Sequence, residues 1–246
     1  MKTKNPKPLE ILEEIFSTLI TVQSISVSTE ASQLEIAKKN CNDYNFDVHL
    51  VRENPESDLL LYDRKTGDTR NLREKEVISE STPISDTIEC LKDQPYVFIK
   101  EKRDVTRIVT KADIDSVPIR IWLFGMIGLL EWQLRDYIIT NKILWENSLS
   151  ENRKGKAKEL FELKKEMNEE VRLIDCLQLI DLHSIITKQW QDFEFVFKDH
   201  QKKSLKSKFI KITELRNALA HSQKLNYSWG EIYSLSSFIS TALKRI

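Results

Sequence analysis

Proline placement constrains this chain more than any other feature. All six prolines lie between Pro6 and Pro118, and all five tryptophans lie between Trp122 and Trp229. A long stretch without proline and with few glycines is free to be helical throughout, because no residue in it lacks a backbone donor. The part up to Pro118 instead carries turn residues and β-branched runs, which favour strands. The expected fold is an α+β module over residues 1–118 followed by an all-α bundle over residues 119–246. Almost no linker separates them, since the apolar run over residues 121–130 opens directly after Pro118.

Charge and cysteine usage narrow the function. Lys+Arg and Asp+Glu are 38 each, so no global field draws the chain to nucleic acid or membrane, and anion binding requires a local patch. The three cysteines, Cys41, Cys90 and Cys176, are far apart and odd in number, without C-x-x-C spacing. That argues against a disulfide framework or a zinc site and fits a reducing cytoplasm. The N-terminal MKTKNPKPLEILEE lacks an apolar core, so no signal peptide is expected. The run over residues 121–130, closed by Arg120 and Glu131, is too short to span a bilayer and is expected to be a buried helix. A cytoplasmic protein with no membrane partner and no metal follows.

Residues 22–72 and 77–115 share an order. An apolar-polar strand (22–29), a helix (31–40) and two strands (48–51 and 59–62) are followed by a second strand (77–81), helix (84–91), strand (96–100), charged turn (101–104) and strand (106–110). The common β-α-β-β order suggests an internal repeat. Ile108-Val109-Thr110-Lys111-Ala112-Asp113-Ile114 closes the second passage and resembles the end of a CBS domain; the pair resembles a CBS tandem. The resemblance implies an adenine nucleotide as regulatory ligand, with Thr110 on phosphate and Asp113 on the ribose hydroxyls. The chemistry suits an anion at a helix start and a carboxylate on a diol. Bonding of Thr110 and Asp113 to the helix start itself is the competing role. The first passage has no Thr-x-x-Asp, and Arg107 stands where the family usually carries a small residue.

The second half carries a basic run over residues 198–216 that leads into Leu215-Arg216-Asn217-Ala218-Leu219-Ala220-His221. On an ideal helix Arg216 and His221 are splayed by roughly 140° and about 7.5 Å. Asn217 and His221 share a face, and Leu215 and Leu219 form a core stripe. On spacing alone this is more often a solvated helix face than a site. Helices are expected over residues 119–145, 156–170 and 229–244, with 146–155 as a loop, and residues 173–190 are apolar again. Glu131 and Arg135, four apart, are placed to pair.

Arg216 to His221 is an Arg-x4-His motif with a polar residue after the arginine. With residues 129–135 and 173–177 it resembles a HEPN domain, and the chain resembles a CBS–HEPN fusion. That implies a helical homodimer and, commonly, a metal-independent endoribonuclease in a toxin or defence setting. Arg216, Asn217 and His221 would be catalytic and Glu131 supporting. Gln223 replaces the tyrosine that some members carry two residues after the histidine.

RNA can be cut without a metal because its own 2′-hydroxyl can attack the phosphorus. The reaction needs a base, a cation for the phosphorane charge and a proton for the leaving oxygen. Histidine transfers protons near neutrality and an arginine fork matches two phosphate oxygens. A lone His221 cannot easily act on both sides, whereas two copies about a two-fold axis can. A nucleotide-regulated endoribonuclease is therefore expected, with a non-catalytic sensor or RNA-binding scaffold, or a plain interaction module, as alternatives.

Overall fold

Period-two patterning organises the first half. The computed structural model describes residues 10–11, 14–15 and 20–246. Its first elements are β1 (Val27–Ser28), α1 (Leu34–Asp43), β2 (Val48–Val51), β3 (Leu60–Asp63), β4 (Thr69–Asn71), β5 (Val77–Ser79), α2 (Ile84–Leu91), β6 (Tyr96–Glu101) and β7 (Asp104–Thr110). β2, β3 and β4 form an antiparallel sheet in which Leu50 lies opposite Leu61. Leu50 and Leu61 are fully buried against Phe98 of the second sheet. Val51 and Tyr62 point to the other side, onto Ala37 and Cys41 of α1. Alternation along each strand therefore feeds two cores at once. The second sheet has the order β1-β7-β6-β5, with β5 parallel to β6 and the other pairs antiparallel.

The repeated order is present in both passages, unequally. β5, α2, β6 and β7 form a full parallel pair and hairpin. In the first passage a single parallel bridge between Ser32 and Val51 precedes α1 and the β2–β3 hairpin. The strand expected over residues 22–29 shrinks to Val27–Ser28. Ahead of it Val22–Ser24 closes a 3₁₀ turn, with the Ser26 hydroxyl donating to the Gln23 carbonyl at 3.1 Å. Val22 and Ile25, both buried, are three apart, which is the 3₁₀ period and not that of a strand. β4 escapes sequence inspection because Thr69-Arg70-Asn71 has no apolar alternation, as suits an edge strand.

The second half contains α3 (Val117–Thr140), α4 (Glu151–Glu166), α5 (Leu179–Lys188), α6 (Trp190–Phe193), α7 (Lys202–Ala220) and α8 (Trp229–Arg245). Mixed α+β structure thus gives way to a helical C-terminal region. Among the described residues, 20–119 together with Tyr227–Tyr233 form one compact unit, and 120–226 with 234–246 form the other. In the helical unit Leu123, Ile127, Leu130, Leu134 and Ile138 of α3 are fully buried at helical spacing. Phe197, Phe209 and Phe238 pack with ring centroids 5.6–6.1 Å apart.

Three expectations for the helices need correction. The run over residues 121–130 is not buried all round: Ile121 and Phe124 are 54% and 48% exposed, while Leu123 and Ile127 face inward. It belongs to a 24-residue helix that by length and composition could cross a membrane, and 44% of its most apolar window is buried within the protein. α3 stops at Thr140, because Lys142 turns to φ 53° and the Ile143 amide bonds back to the Ile138 carbonyl at 3.0 Å. α4 starts at Glu151, inside the expected loop, because the Ser150 hydroxyl accepts the Arg153 amide at 3.4 Å.

Candidate functional site

Burial of Leu205, Phe209, Ile212, Leu215 and Leu219 fixes the rotation of α7. Arg216 and Asn217 are left exposed. The helix ends one residue before His221, which is its C-cap with φ −99° and ψ 13°. His221 is therefore not an interior helical residue, as its spacing implied. Its amide still donates to the Asn217 carbonyl at 3.0 Å, so the four-residue step between them survives. Ser222 then enters the left-handed region at φ 52°. Its amide donates to Leu219 O at 3.3 Å and that of Gln223 to Ala218 O at 2.9 Å, the paired bonds of a Schellman turn.

Arg120, near the start of α3, completes this turn. Its Nη1 donates to Gln223 O at 2.9 Å, and its Nη2 to Ala218 O at 3.2 Å and Leu219 O at 3.5 Å. A cation on the last carbonyls of a helix also opposes the negative end of its dipole. Sequence inspection gave Arg120 no role; an arginine opening an apolar run was the available signal.

Glu131, also on α3, holds the other end of the motif. It is 8% exposed. Its Oε2 accepts from Arg135 Nη2 at 3.1 Å, and its Oε1 lies 3.7 Å from Arg216 Nε. Arg135 Nη2 also donates to the Leu177 carbonyl at 2.8 Å. Arg216 Nη1 donates to Asn217 Oδ1 at 3.3 Å, and the arginine side chain remains 46% exposed. α7 thus brings Arg216, Asn217 and His221 to one solvent-facing end, and α3 braces both edges of it. Lys202, Lys203 and Lys206 are exposed on the same helix. Burial, and then the neighbouring Lys211, pushes the Lys208 ammonium below its ordinary range.

Thr110 and Asp113 belong to the α/β unit and satisfy one another. Thr110 caps the 3₁₀ turn Lys111–Asp115, its hydroxyl accepting from the Ala112 amide at 3.3 Å. Asp113 Oδ2 accepts from the Thr110 amide at 2.7 Å and the Thr110 hydroxyl at 3.0 Å. The Thr110 carbonyl accepts from Trp229 Nε1 at 3.3 Å. A phosphate or ribose here must displace these bonds. Arg107 is likewise engaged, donating from Nε to the Ser26 hydroxyl and from Nη2 to the Ser26 carbonyl, each at 2.7 Å.

Two open clefts lie elsewhere in the same unit. One of about 540 Å³ is lined by Asp63, Arg70, Arg73, Glu76, Asp93 and Tyr96 among others, and one of about 620 Å³ by Ser32, Arg52, Glu53, Asn54 and Asp104 among others. Neither includes Thr110 or Asp113. Among the described residues no cluster of three or more His, Cys, Asp or Glu side chains is placed to hold a metal ion. Comparison with protein families, curated proteins and solved structures finds no match.

Proposed function

We propose that the chain is a CBS–HEPN fusion acting as a metal-independent endoribonuclease, at a site shared between two copies. One observation carries this: Arg216 and His221 lie at the exposed end of α7, with Arg216 tethered to the buried carboxylate of Glu131 at 3.7 Å. The arginine has phosphate-binding chemistry and water access, and the histidine stands at the cap of the same helix. His221 takes the 2′-hydroxyl proton in one copy and protonates the leaving oxygen from the other. Arg216 stabilises the phosphorane charge, and Asn217 orients Arg216 through its side-chain oxygen. Exposed Ile121, Phe124 and Trp132 on α3 support pairing, since they offer an apolar face beside the Glu131 edge.

The α/β unit would bind an adenine nucleotide and bias that shared cleft. Support is the β-α-β-β order of residues 77–110 and the Thr110–Asp113 turn that follows it. The test is to incubate the protein with mixed RNA in EDTA beside Arg216→Ala and His221→Ala. Cleavage by the wild type, lost in both variants, supports the assignment; equal activity or equal inertness in all three ends it.

The mutual satisfaction of Thr110 and Asp113 weighs against a nucleotide on that turn; the second reading is a non-catalytic RNA-binding scaffold or sensor. Retained RNA affinity without cleavage selects it. A thermal shift against ATP, ADP, AMP and cyclic dinucleotides decides whether any nucleotide is sensed, because a ligand in excess over its Kd must raise stability.

A further inference from the structure

We infer that Arg120 is a positioning residue for His221. Its chemical purpose rests on the ribonuclease proposal; its geometry does not. A helix leaves its last carbonyls without intrahelical partners, and the Ser222 and Gln223 amides reach Leu219 O and Ala218 O only through a left-handed turn that a residue with a Cβ adopts at a cost. Here Ser222, not glycine, holds the left-handed position. One guanidinium reaches carbonyls on both sides of His221: Ala218 and Leu219 before it, and Gln223 after it. The backbone that carries the imidazole is therefore gripped at two points. The grip comes from a helix held by fully buried Ile119 and Leu123 around Arg120.

The same helix restrains Arg216 through Glu131. α3 thus sets both ends of a motif whose own spacing splays its two side chains. The guanidinium has two arms in use, Nη1 on Gln223 and Nη2 on Ala218 and Leu219. A lysine carries the charge without the fork and holds one side at a time. Arg120 is also spent on carbonyls, so it does not compete with Arg216 for phosphate.

Two roles separate experimentally. A purely structural cap matters because the turn is strained, and Ser222→Gly removes that strain, since glycine adopts positive φ freely. A positioning residue matters because the imidazole must stay in place, which glycine does not achieve. RNA cleavage is measured for wild type, Arg120→Ala, Arg120→Lys and the double variant Arg120→Ala/Ser222→Gly, with Tm for each. Arg120→Ala is expected to lower kcat by about 10–100-fold with KM within about twofold, the scale of a misplaced catalytic group. Arg120→Lys recovers a small part of kcat. The double variant regains Tm and not kcat. Recovery of kcat together with Tm overturns the inference, as does unchanged kcat in Arg120→Ala.

Amide hydrogen exchange on the same proteins keeps the two proposals apart. In Arg120→Ala the Ser222 and Gln223 amides are expected to exchange about tenfold faster while those of Phe209 and Ile212 keep the wild-type rate. If the wild type cuts no RNA, the ribonuclease proposal fails and exchange alone judges the grip. Unchanged exchange at Ser222 and Gln223 then overturns it.

Discussion

Glu131→Ala separates two arms of one carboxylate. Oε2 meets Arg135, whose side chain is 16% exposed, and Oε1 faces Arg216, whose side chain is 46% exposed. Removing one partner of a buried ion pair costs about 3–5 kcal/mol, because the other charge is left uncompensated. An exposed pair is worth about 0–1 kcal/mol. Arg135 sits near the buried limit. It keeps the Leu177 carbonyl, but its Nε already has no partner. Discounting for that residual bond and for partial exposure, Glu131→Ala should cost about 2–3 kcal/mol. Nearly all of it should flow through Arg135.

The assay is a double-mutant cycle read by urea unfolding. The signals of the two units are fitted separately, since a chain of two units need not unfold in one step. The Glu131–Arg135 coupling is expected near 2 kcal/mol and the Glu131–Arg216 coupling below about 0.5 kcal/mol. Cleavage should show the reverse order, with Arg216→Ala abolishing it at little cost in stability. A Glu131–Arg216 coupling equal to the other refutes the reasoning, for Arg216 would then be a structural partner of Glu131 and not a cation kept free for phosphate.

Three further outcomes follow from burial and charge. Burial opposes ionisation of Glu76, but the paired bonds from Arg70 at 2.6 and 2.8 Å, with the Arg73 amide, outweigh it and hold its carboxyl below the usual range. Its stabilisation is complete above the unfolded pKa of about 4.3 and lost as pH falls through the lower folded value, so Glu76→Gln should show a shallower fall of Tm from pH 5 to 3. Burial first, and then Lys206, pushes the His183 imidazole down, and its Nε2 has no partner. The unfolded chain then takes up the proton more readily, stability falls as pH drops through about 6.5, and His183→Leu should flatten the Tm profile between pH 7 and 5. Phe209→Ala, which empties a fully buried site between Phe197 and Phe238, should cost about 3–5 kcal/mol in urea unfolding of the helical unit.

Local periodicity made much of the fold legible. Residues 48–51 and 59–62 read as strands, and in the structure the alternation of Leu50 with Val51 and Leu61 with Tyr62 builds two cores. Proline placement foretells the helical region because a missing backbone donor is a local property. Where a segment's structure depended on one hydroxyl or on a neighbouring strand, periodicity misled. Ser26 bonds to Gln23 and bends the expected first strand into a 3₁₀ turn. β4 is a strand because β3 lies beside it, and nothing in Thr69-Arg70-Asn71 says so. The faces of α3 were also hidden, since an apolar run states hydrophobicity and not which side of it is covered.

Helix ends mark the deeper limit, and they bear directly on the site. Glycine is the usual sign of a helix end, yet this chain turns at Lys142, Asn168 and Ser222, each with φ between 52° and 57°. A side chain in that region carries a local cost, so each turn must be held by bonds that the segment does not announce. At Lys142 the Ile143 amide and its buried side chain are local enough to suffice. At Ser222 the local amide bonds are joined by Arg120, whose bond to Gln223 spans 103 positions of sequence. The Arg-x4-His spacing could therefore be read from six consecutive residues, while the turn beyond its histidine is held from the opposite end of the unit's sequence. The helix packed behind this motif decides whether the geometry that the proposed chemistry needs is met.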